Sequence, residues 1–170
     1  VLHQTACQLG ERADRWYSVP IHVGITRSGK ILWLNDFTFN LPHANGFNSR
    51  SIGIEIDGAF AGIEGDMKTF WRPAGSNAQP QEASAEQLGA ARVAVRWICE
   101  EVARQGGKIL NILAHRQSSK DRVSDPGSRI WQQVGVWAQT ELSLSDGGEG
   151  FVQGGNPIPS EWDPKREAKY

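Results

Sequence analysis

The sequence has neither a basic excess nor a long apolar run, and these absences narrow the classes of protein to consider. Its 18 Lys and Arg residues are balanced by 19 Asp and Glu residues, so the net charge is −1. Nucleic-acid-binding proteins need a basic excess to neutralise phosphates, and we therefore expect no nucleic-acid partner. No apolar run approaches the roughly 18 residues of a transmembrane helix, so we expect no membrane span.

Cysteine is also scarce, because the 170 residues include only Cys7 and Cys99. These two could form one disulfide, and two separate thiols fit equally well, so the redox compartment stays open. We interpret both as buried thiols. The sequence begins at Val1 without an initiator methionine or a signal-like segment. We expect a fragment, or a mature chain whose upstream residues and targeting information are missing.

The residues that are present have the composition of an ordinary globular domain, with 39% hydrophobic and 22% charged residues. At this length we expect one domain with a sizeable core. Several short β-rich segments predict strands, and Gly29 supplies the positive φ of a hairpin turn between two of them. These segments are residues 1–5, 21–26, 31–34, 51–56 and 109–114, the last interpreted as a buried strand.

Two segments have the apolar spacing of amphipathic helices. Residues 84–87, Ser-Ala-Glu-Gln, form a capping box that predicts the start of the first helix, and the glycines at 106–107 predict its end. The second helix is expected over residues 128–142. Strands in a mixed order with two long helices predict an α/β (α+β) fold with a single mixed β-sheet flanked by α-helices.

Two long stretches have no periodicity. Residues 57–83 form a loop that is long for a compact domain, and such loops are usually functional or disordered. Its Trp71 and Arg72 are candidates to line a saccharide or peptide groove. We expect residues 1–142 to form the domain and residues 143–170 an irregular C-terminal tail, packed on the domain or trailing from it. The candidate packing residues of the tail are Phe151, Ile158 and Trp162.

Candidate metal ligands stand after two predicted strands. His115 follows the apolar run at 109–114, Asp125 lies ten residues later in an Asp-Pro-Gly turn, and His3 follows the first apolar residues. Three such ligands would leave the fourth tetrahedral position of a zinc ion for water, as in a catalytic site. A single histidine is more often a surface or structural residue, so the residues alone leave a metal site and its absence both open.

Six short motifs, in this order, are similar to one family. They are Val-Leu-His-Gln-Thr at 1–5, Ile-His-Val-Gly-Ile with Ser-Gly-Lys-Ile at 21–31, His-Ala-Asn-Gly-Phe-Asn at 43–48, Ser-Ile-Gly-Ile-Glu at 51–55, Ala-His-Arg at 114–116 and Ser-Asp-Pro-Gly at 124–127. Over residues 1–140 the sequence resembles the zinc-dependent N-acetylmuramoyl-L-alanine amidases, which share a fold with peptidoglycan recognition proteins and phage T7 lysozyme.

The resemblance implies a function and a set of site residues. It implies a Zn²⁺ cofactor in a groove, and cleavage of the amide between N-acetylmuramic acid and the L-alanine of the stem peptide. By position, it implies zinc ligands at His3, His115 and Asp125. Glu55 falls where recycling-type members carry a catalytic glutamate, although a solvent-facing strand residue is the alternative. Such a carboxylate can take a proton from the attacking water and deliver it to the leaving amine.

Two positions depart from the family pattern. Ile21 stands before His22 where lysozyme-like members have a tyrosine, which gives Glu55 more of the catalytic work. Val123 stands where many members have an oxyanion-stabilising lysine. The neighbouring Arg122 is the candidate to replace that lysine, with Lys120 also adjacent. Alternatively, Arg122 holds a carboxylate of the stem peptide.

The resemblance also implies partners and a location. His43, Asn48 and Trp71 are the candidate substrate-binding residues, and loop hydrogen bonding is the alternative for the first two. His22 is interpreted as a structural residue. We expect a monomer that acts on peptidoglycan or soluble muropeptides, in the cell envelope, the periplasm or outside the cell rather than in the cytoplasm. The rival functions are a non-catalytic peptidoglycan-binding module of the same fold and a zinc hydrolase for an unrelated amide.

Overall fold

A mixed sheet of four short strands lies at the centre of the computed structural model, which describes residues 1–71 and 77–170. The strands are β1 (Leu2–Gln4), β2 (Val23–Ile25), β3 (Ile31–Trp33) and β4 (Ile54–Ile56), and their order in the sheet is β1-β4-β2-β3. β4 is parallel to β1 and β2, whereas β2 and β3 form an antiparallel hairpin with Gly29 at φ +82° in its turn. The predicted mixed sheet and hairpin are thereby confirmed.

The register of the sheet decides which residues share a face. His3 of β1 is level with Glu55 of β4, and Glu55 is level with Gly24 of β2. Side chains at level positions of neighbouring strands point to the same side of a sheet, so His3 and Glu55 share one face. Gly24 leaves room there for the buried ring of Trp16, whose Cε3 atom would lie 2.6 Å from a Cβ at position 24.

The opposite face of the sheet carries the core. Leu2, Ile54 and Ile56 are buried there in one hydrophobic cluster with residues from the apolar side of helix α1, Ala85–Arg104. The helix begins with the predicted capping box, in which Ser84 Oγ accepts the Gln87 N–H at 3.1 Å and Gln87 Oε1 accepts the Ser84 N–H at 3.1 Å. Two such bonds satisfy amide groups that a helix leaves unpaired at its start.

The second helical region is continuous but not uniform. It consists of α2 (Ser128–Ile130), a π-helical stretch (Trp131–Val136) and α3 (Trp137–Leu142). The remaining helical turns in the described residues are short 3-10 helices at Ala13–Trp16, Asn48–Arg50, Met67–Thr69 and His115–Gln117. No helix among the described residues is both long and apolar enough to cross a membrane.

The prediction of a buried strand over residues 109–114 is wrong. With the described residues the segment makes only isolated bridges, from Ala114 to Leu2 and from Asn111 to Ser145, and Leu110 is 60% exposed. Its backbone hydrogen bonds are divided between two partners, because the Leu2 N–H reaches Leu113 O at 2.8 Å while the Ile112 N–H reaches Ser145 O at 2.9 Å. A ladder needs consecutive pairs with one neighbour, whereas this segment makes a single pair with β1 and a single pair with Ser145.

Both cysteines are free thiols. Both were predicted to be buried, but Cys7 is exposed and Cys99 is half-buried. The chain leaves the sheet after Gln4 and turns at Ala6, which has φ +53°. Cys7 therefore lies on the rim, where it makes an isolated bridge to Gly58.

The tail, residues 143–170, has no helix or strand, although all of it is described. Leu144, Ile158 and Trp162 are nevertheless buried in the main core, where the Trp162 ring lies 6.5 Å from that of Trp131. The tail therefore packs on the rest of the chain through side chains instead of through a regular ladder.

Candidate metal centre

Three predicted ligands come together at one end of the sheet. One donor atom from each of His3, His115 and Asp125 lies within 4.8 Å of the other two. The His3 and His115 rings are 4.3 Å apart between centroids, and His115 Nδ1 lies 2.9 Å from Asp125 Oδ2. His3 and Asp125 are buried and His115 is half-buried. The structure thus brings together side chains that are 122 positions apart in the chain.

His115 and Asp125 are placed by a loop that is closed on itself. Arg116 donates its N–H to Asp125 O at 3.0 Å, and the Asp125 N–H reaches Arg122 O at 3.1 Å. The Asp125 carboxylate is oriented from the sheet, because the Gln4 N–H donates to Asp125 Oδ1 at 2.9 Å. One carboxylate oxygen is thereby held by backbone, and the other faces the histidines.

His43 determines which nitrogen of His3 is available. His43 Nδ1 lies 3.0 Å from His3 Nε2, and His43 Nε2 lies 3.4 Å from Ser51 O. A carbonyl only accepts. The Ser51 hydroxyl, whose Oγ lies 3.3 Å from the same nitrogen, already donates its hydrogen to Phe47 O at 2.8 Å. We therefore assign the proton of His43 to Nε2, and His43 Nδ1 then accepts from His3 Nε2–H. His3 Nδ1 is left with a free lone pair. This is how an outer histidine commonly fixes the tautomer of a metal ligand.

The chemistry of the donor set fits zinc. Two imidazoles and one carboxylate are the ligand types of catalytic zinc sites, which keep one position open. Imidazole must be neutral to bind a metal. Burial, followed by the neighbouring His115 and His43, holds the pKa of His3 well below its usual value, and burial lowers the pKa of His43 to about 3. Both rings are therefore neutral near pH 7.

Glu55 is a buried carboxylate next to these ligands. It is 9% exposed and, among the residues that the structure describes, it has no hydrogen-bond partner. Burial, and after it the negative charge of Asp125, raises the pKa of Glu55 well above its usual value, while Arg122 opposes the shift. A carboxyl group of this kind is suited to exchange protons near neutral pH.

The ligands open onto a groove of about 560 Å³. His43, Trp71 and Arg122 lie on its walls together with Glu55, and Trp71 is 52% exposed. A second cavity of about 590 Å³ has mainly apolar walls and contains none of the three ligands. Among the described residues, the rest of the groove is lined by Gln4, Thr5, Val19, Pro20, Pro42, Asn45, Ser119 and Asp121.

Other residues considered for the site lie elsewhere. Asn48 is not on the groove wall, and its Oδ1 accepts the Ala44 N–H at 2.6 Å. His22 is buried with both ring nitrogens on backbone groups, since Nδ1 accepts the Gly53 N–H and Nε2 lies 3.0 Å from Phe39 O. The carbonyl of Val123 accepts from Arg116 Nη1. Arg72 lies outside the described residues.

Sequence reasoning missed Gln4, which joins the sheet to the ligand loop. Its side-chain Nε2 donates to Ser124 O at 2.8 Å and to Phe60 O at 3.2 Å, and its Oε1 accepts the Phe60 N–H at 2.5 Å. The available signal was an amide side chain directly after the candidate ligand His3, inside a strand whose residues are all buried.

Comparison with known proteins agrees with this geometry. The model of the N-acetylmuramoyl-L-alanine amidase family, Amidase_2, matches residues 1–128. The fold is similar to that of the N-acetylmuramoyl-L-alanine amidase LysC from Clostridium intestinale URNW, with a TM-score of 0.56 and 14% identity over 85% of this chain and 83% of that one. The endolysin amidase LysCS from the same organism has the same score and identity over 85% and 82%. No curated protein matches the sequence.

Proposed function

Because the chain belongs to the N-acetylmuramoyl-L-alanine amidase family, we propose that it hydrolyses the amide between N-acetylmuramic acid and L-alanine in peptidoglycan or muropeptides. In this proposal a zinc ion is held by His3, His115 and Asp125. The observation that carries it is the convergence of these ligands within 4.8 Å, in a groove that also contains the buried Glu55. We further propose that residues 1–142 form the catalytic domain and that residues 143–170 are its tail.

The protein prepares its ligands before a metal ion binds. Zinc at this position would supply Lewis acidity toward the attacking water and the scissile carbonyl. His43 holds His3 as a neutral ring with Nδ1 unprotonated, and the Gln4 N–H fixes one oxygen of Asp125. Pre-oriented ligands lose less conformational freedom on binding, which favours metal affinity.

Glu55 is the proposed proton carrier. Its carboxylate takes a proton from the attacking water and then delivers it to the nitrogen of the leaving L-alanine. Two features support this role: its position level with His3 in the sheet, and a pKa raised by burial and by Asp125. The raised pKa brings proton uptake and proton release closer in free energy near neutral pH.

Arg122 is the proposed electrostatic partner of the substrate. It lies on the groove wall, and its charge acts on both Glu55 and His3. A guanidinium here would stabilise negative charge on the carbonyl oxygen during attack. The same group would alternatively hold a stem-peptide carboxylate. Trp71 and His43 are proposed to contact the substrate from the other walls, and this role stays a prediction.

We also propose that the protein acts as a monomer on the cell wall, in the envelope or outside the cell. Its similarity to the endolysin LysCS supports this location. Retention of all three candidate ligands and of Glu55 favours an enzyme over a non-catalytic module that only binds peptidoglycan.

The test is release of new L-alanine amino termini from purified peptidoglycan and from a soluble muropeptide. The zinc-loaded protein should release them, a chelator should stop release, and added zinc should restore it. Release that continues after zinc has been removed, as verified by metal analysis, would contradict the proposed cofactor. A protein that holds zinc and binds peptidoglycan but cleaves neither substrate would be a binding module.

A further inference from the structure

The end of the tail lies directly against the loop that carries two of the proposed ligands. We call residues 114–125 the ligand loop and residues 151–170 the strap. Three backbone N–H groups of the strap donate to two consecutive carbonyls of the ligand loop. The Gln153 and Gly155 N–H groups reach Gln117 O at 2.7 and 3.2 Å, and the Asn156 N–H reaches Arg116 O at 2.7 Å. The strap therefore holds the residues that immediately follow His115.

Arg116 anchors the strap through its side chain. The residue is 2% exposed, and its guanidinium carbon lies 4.7 Å from the ring centre of Trp162 and 5.0 Å from that of Tyr170. Its Nη1 donates to Val123 O at 2.7 Å. A guanidinium between two rings is stabilised by cation–π attraction, so one side chain of the ligand loop is fixed by two rings of the strap.

The strap also touches the other end of the ligand loop. The Tyr170 hydroxyl lies 3.3 Å from Ser124 Oγ and donates to Thr69 O at 3.3 Å. Ser124 precedes Asp125, and its carbonyl accepts from Gln4 Nε2. Tyr170 therefore contacts Ser124, which precedes Asp125, through its hydroxyl, and Arg116, which follows His115, through its ring.

Gly155 permits the close approach of the two backbones. A Cβ at this position would overlap the carbonyl oxygen of Arg116 and crowd the backbone of Gln117 and Ser119. Backbone atoms of a bonded loop cannot give way as the end of a flexible side chain can. Any larger residue at 155 must therefore push the strap and the ligand loop apart.

We propose that the strap is a positioning element for His115 and Asp125, and that Arg116, Gly155 and Tyr170 are its positioning residues. The strap lies beyond residues 1–128, the part matched by the family model. The metal part of the proposal rests on the proposed function, because it assumes that these two ligands bind zinc. The mechanical part, restraint of the ligand loop by the strap, does not.

Two variants with matched controls test the strap in the full chain. Tyr170→Phe removes only the hydroxyl, and Gly155→Ala separates the backbones. The controls are Tyr17→Phe, at a 74% exposed residue, and Gly89→Ala, at an exposed helix position. A Cβ at position 89 would have no described atom within 4 Å apart from its chain neighbours and the backbone of its own helix. Zinc affinity is measured by competition with a chromophoric chelator. Amide hydrogen exchange in zinc-free protein is compared between residues 115–125 and helix α3, which contains none of the four substitutions.

We expect about tenfold weaker zinc binding for Gly155→Ala and a smaller loss for Tyr170→Phe, as is typical when support for a ligand is removed. Exchange should become faster in the ligand loop and stay unchanged in α3, whereas the controls should match the parent protein in both segments. Parent-like zinc binding and exchange in Tyr170→Phe would overturn the proposal, even if Gly155→Ala failed to fold. A parent protein that binds no zinc would contradict the proposed function, and the exchange comparison would still decide the strap.

Discussion

The two sides of the candidate metal centre are built in different ways. On the sheet side, His3 and Glu55 belong to parallel strands whose register places them level with each other. On the loop side, His115 and Asp125 belong to a segment with only one short 3-10 turn, held by particular side chains and by the strap. A sheet ladder follows from an apolar pattern, whereas the loop geometry requires individual residues. The loop side is therefore where single substitutions should change metal binding most.

Asp125→Ala should have the largest effect, because it removes a proposed zinc ligand from the loop side. The variant loses one of three proposed ligands, and we expect it to lose both stoichiometric zinc binding and amidase activity. Metal analysis after dialysis, together with the L-alanine release assay, measures both. Asp121→Ala, on an exposed residue of the same groove, is the control and should keep both. One tightly bound zinc per chain in Asp125→Ala would remove Asp125 from the ligand set.

Glu55→Gln tests the sheet side without changing the ligands. The amide has nearly the same shape as the carboxylate but cannot exchange protons, so activity should fall by roughly 100- to 10,000-fold. Zinc binding should stay close to that of the parent protein. Activity and zinc affinity are measured on the same preparation. Full activity would show that another group carries the proton.

His43→Ala tests whether the sheet side also depends on an outer residue. Without His43, the proton of His3 is no longer held on Nε2, and we expect zinc affinity to fall about 10- to 100-fold. Chelator competition measures the change. Asn45→Ala, on the same groove wall, should bind zinc as the parent does. An unchanged affinity in His43→Ala would mean that packing alone orients His3.

Gln4→Ala should have the smallest effect, and that effect falls on stability. The truncation leaves the buried Phe60 N–H and Ser124 carbonyl without their side-chain partner, which costs about 1–3 kcal/mol. Urea unfolding of the zinc-free protein measures the difference in the free energy of unfolding. Gln8→Ala, at an exposed position, should change it by less than about 0.5 kcal/mol. Equal stability of the two variants would show that the Gln4 side chain does not stabilise the contact between the sheet and the ligand loop.

Much of the sheet side could be predicted from the sequence. The alternation at residues 21–26, the capping box at 84–87 and the second helix at 128–142 all correspond to elements of the structure. These features depend on neighbours within a few positions, which is the range over which sequence patterns act. The three proposed ligands are candidates because of their positions after predicted strands and in an Asp-Pro-Gly turn, and the resemblance to the family implies that they bind zinc. The structure brings their donor atoms together.

The remaining features depend on contacts between distant positions. The prediction for residues 109–114 failed because an apolar run does not reveal which partners its backbone will find. The contacts of Arg116 with Trp162 and Tyr170 span more than 40 positions and follow no period. The role of Gln4 depends on Phe60 and Ser124, which no local pattern connects to it.

Gly24 affects the polarity of the surroundings of Glu55, its neighbour on the adjacent strand. Because this position has no side chain, the fully buried indole of Trp16 covers the sheet on the face that Glu55 shares, and its N–H is satisfied by Gly10 O at 3.0 Å. A hydrocarbon surface thus occupies volume that water would otherwise fill, on the strand adjacent to Glu55. A methyl group at position 24 would displace the Trp16 ring and let water approach Glu55. Because burial is the main cause of the raised pKa of Glu55, that pKa is linked to the absence of a side chain at position 24.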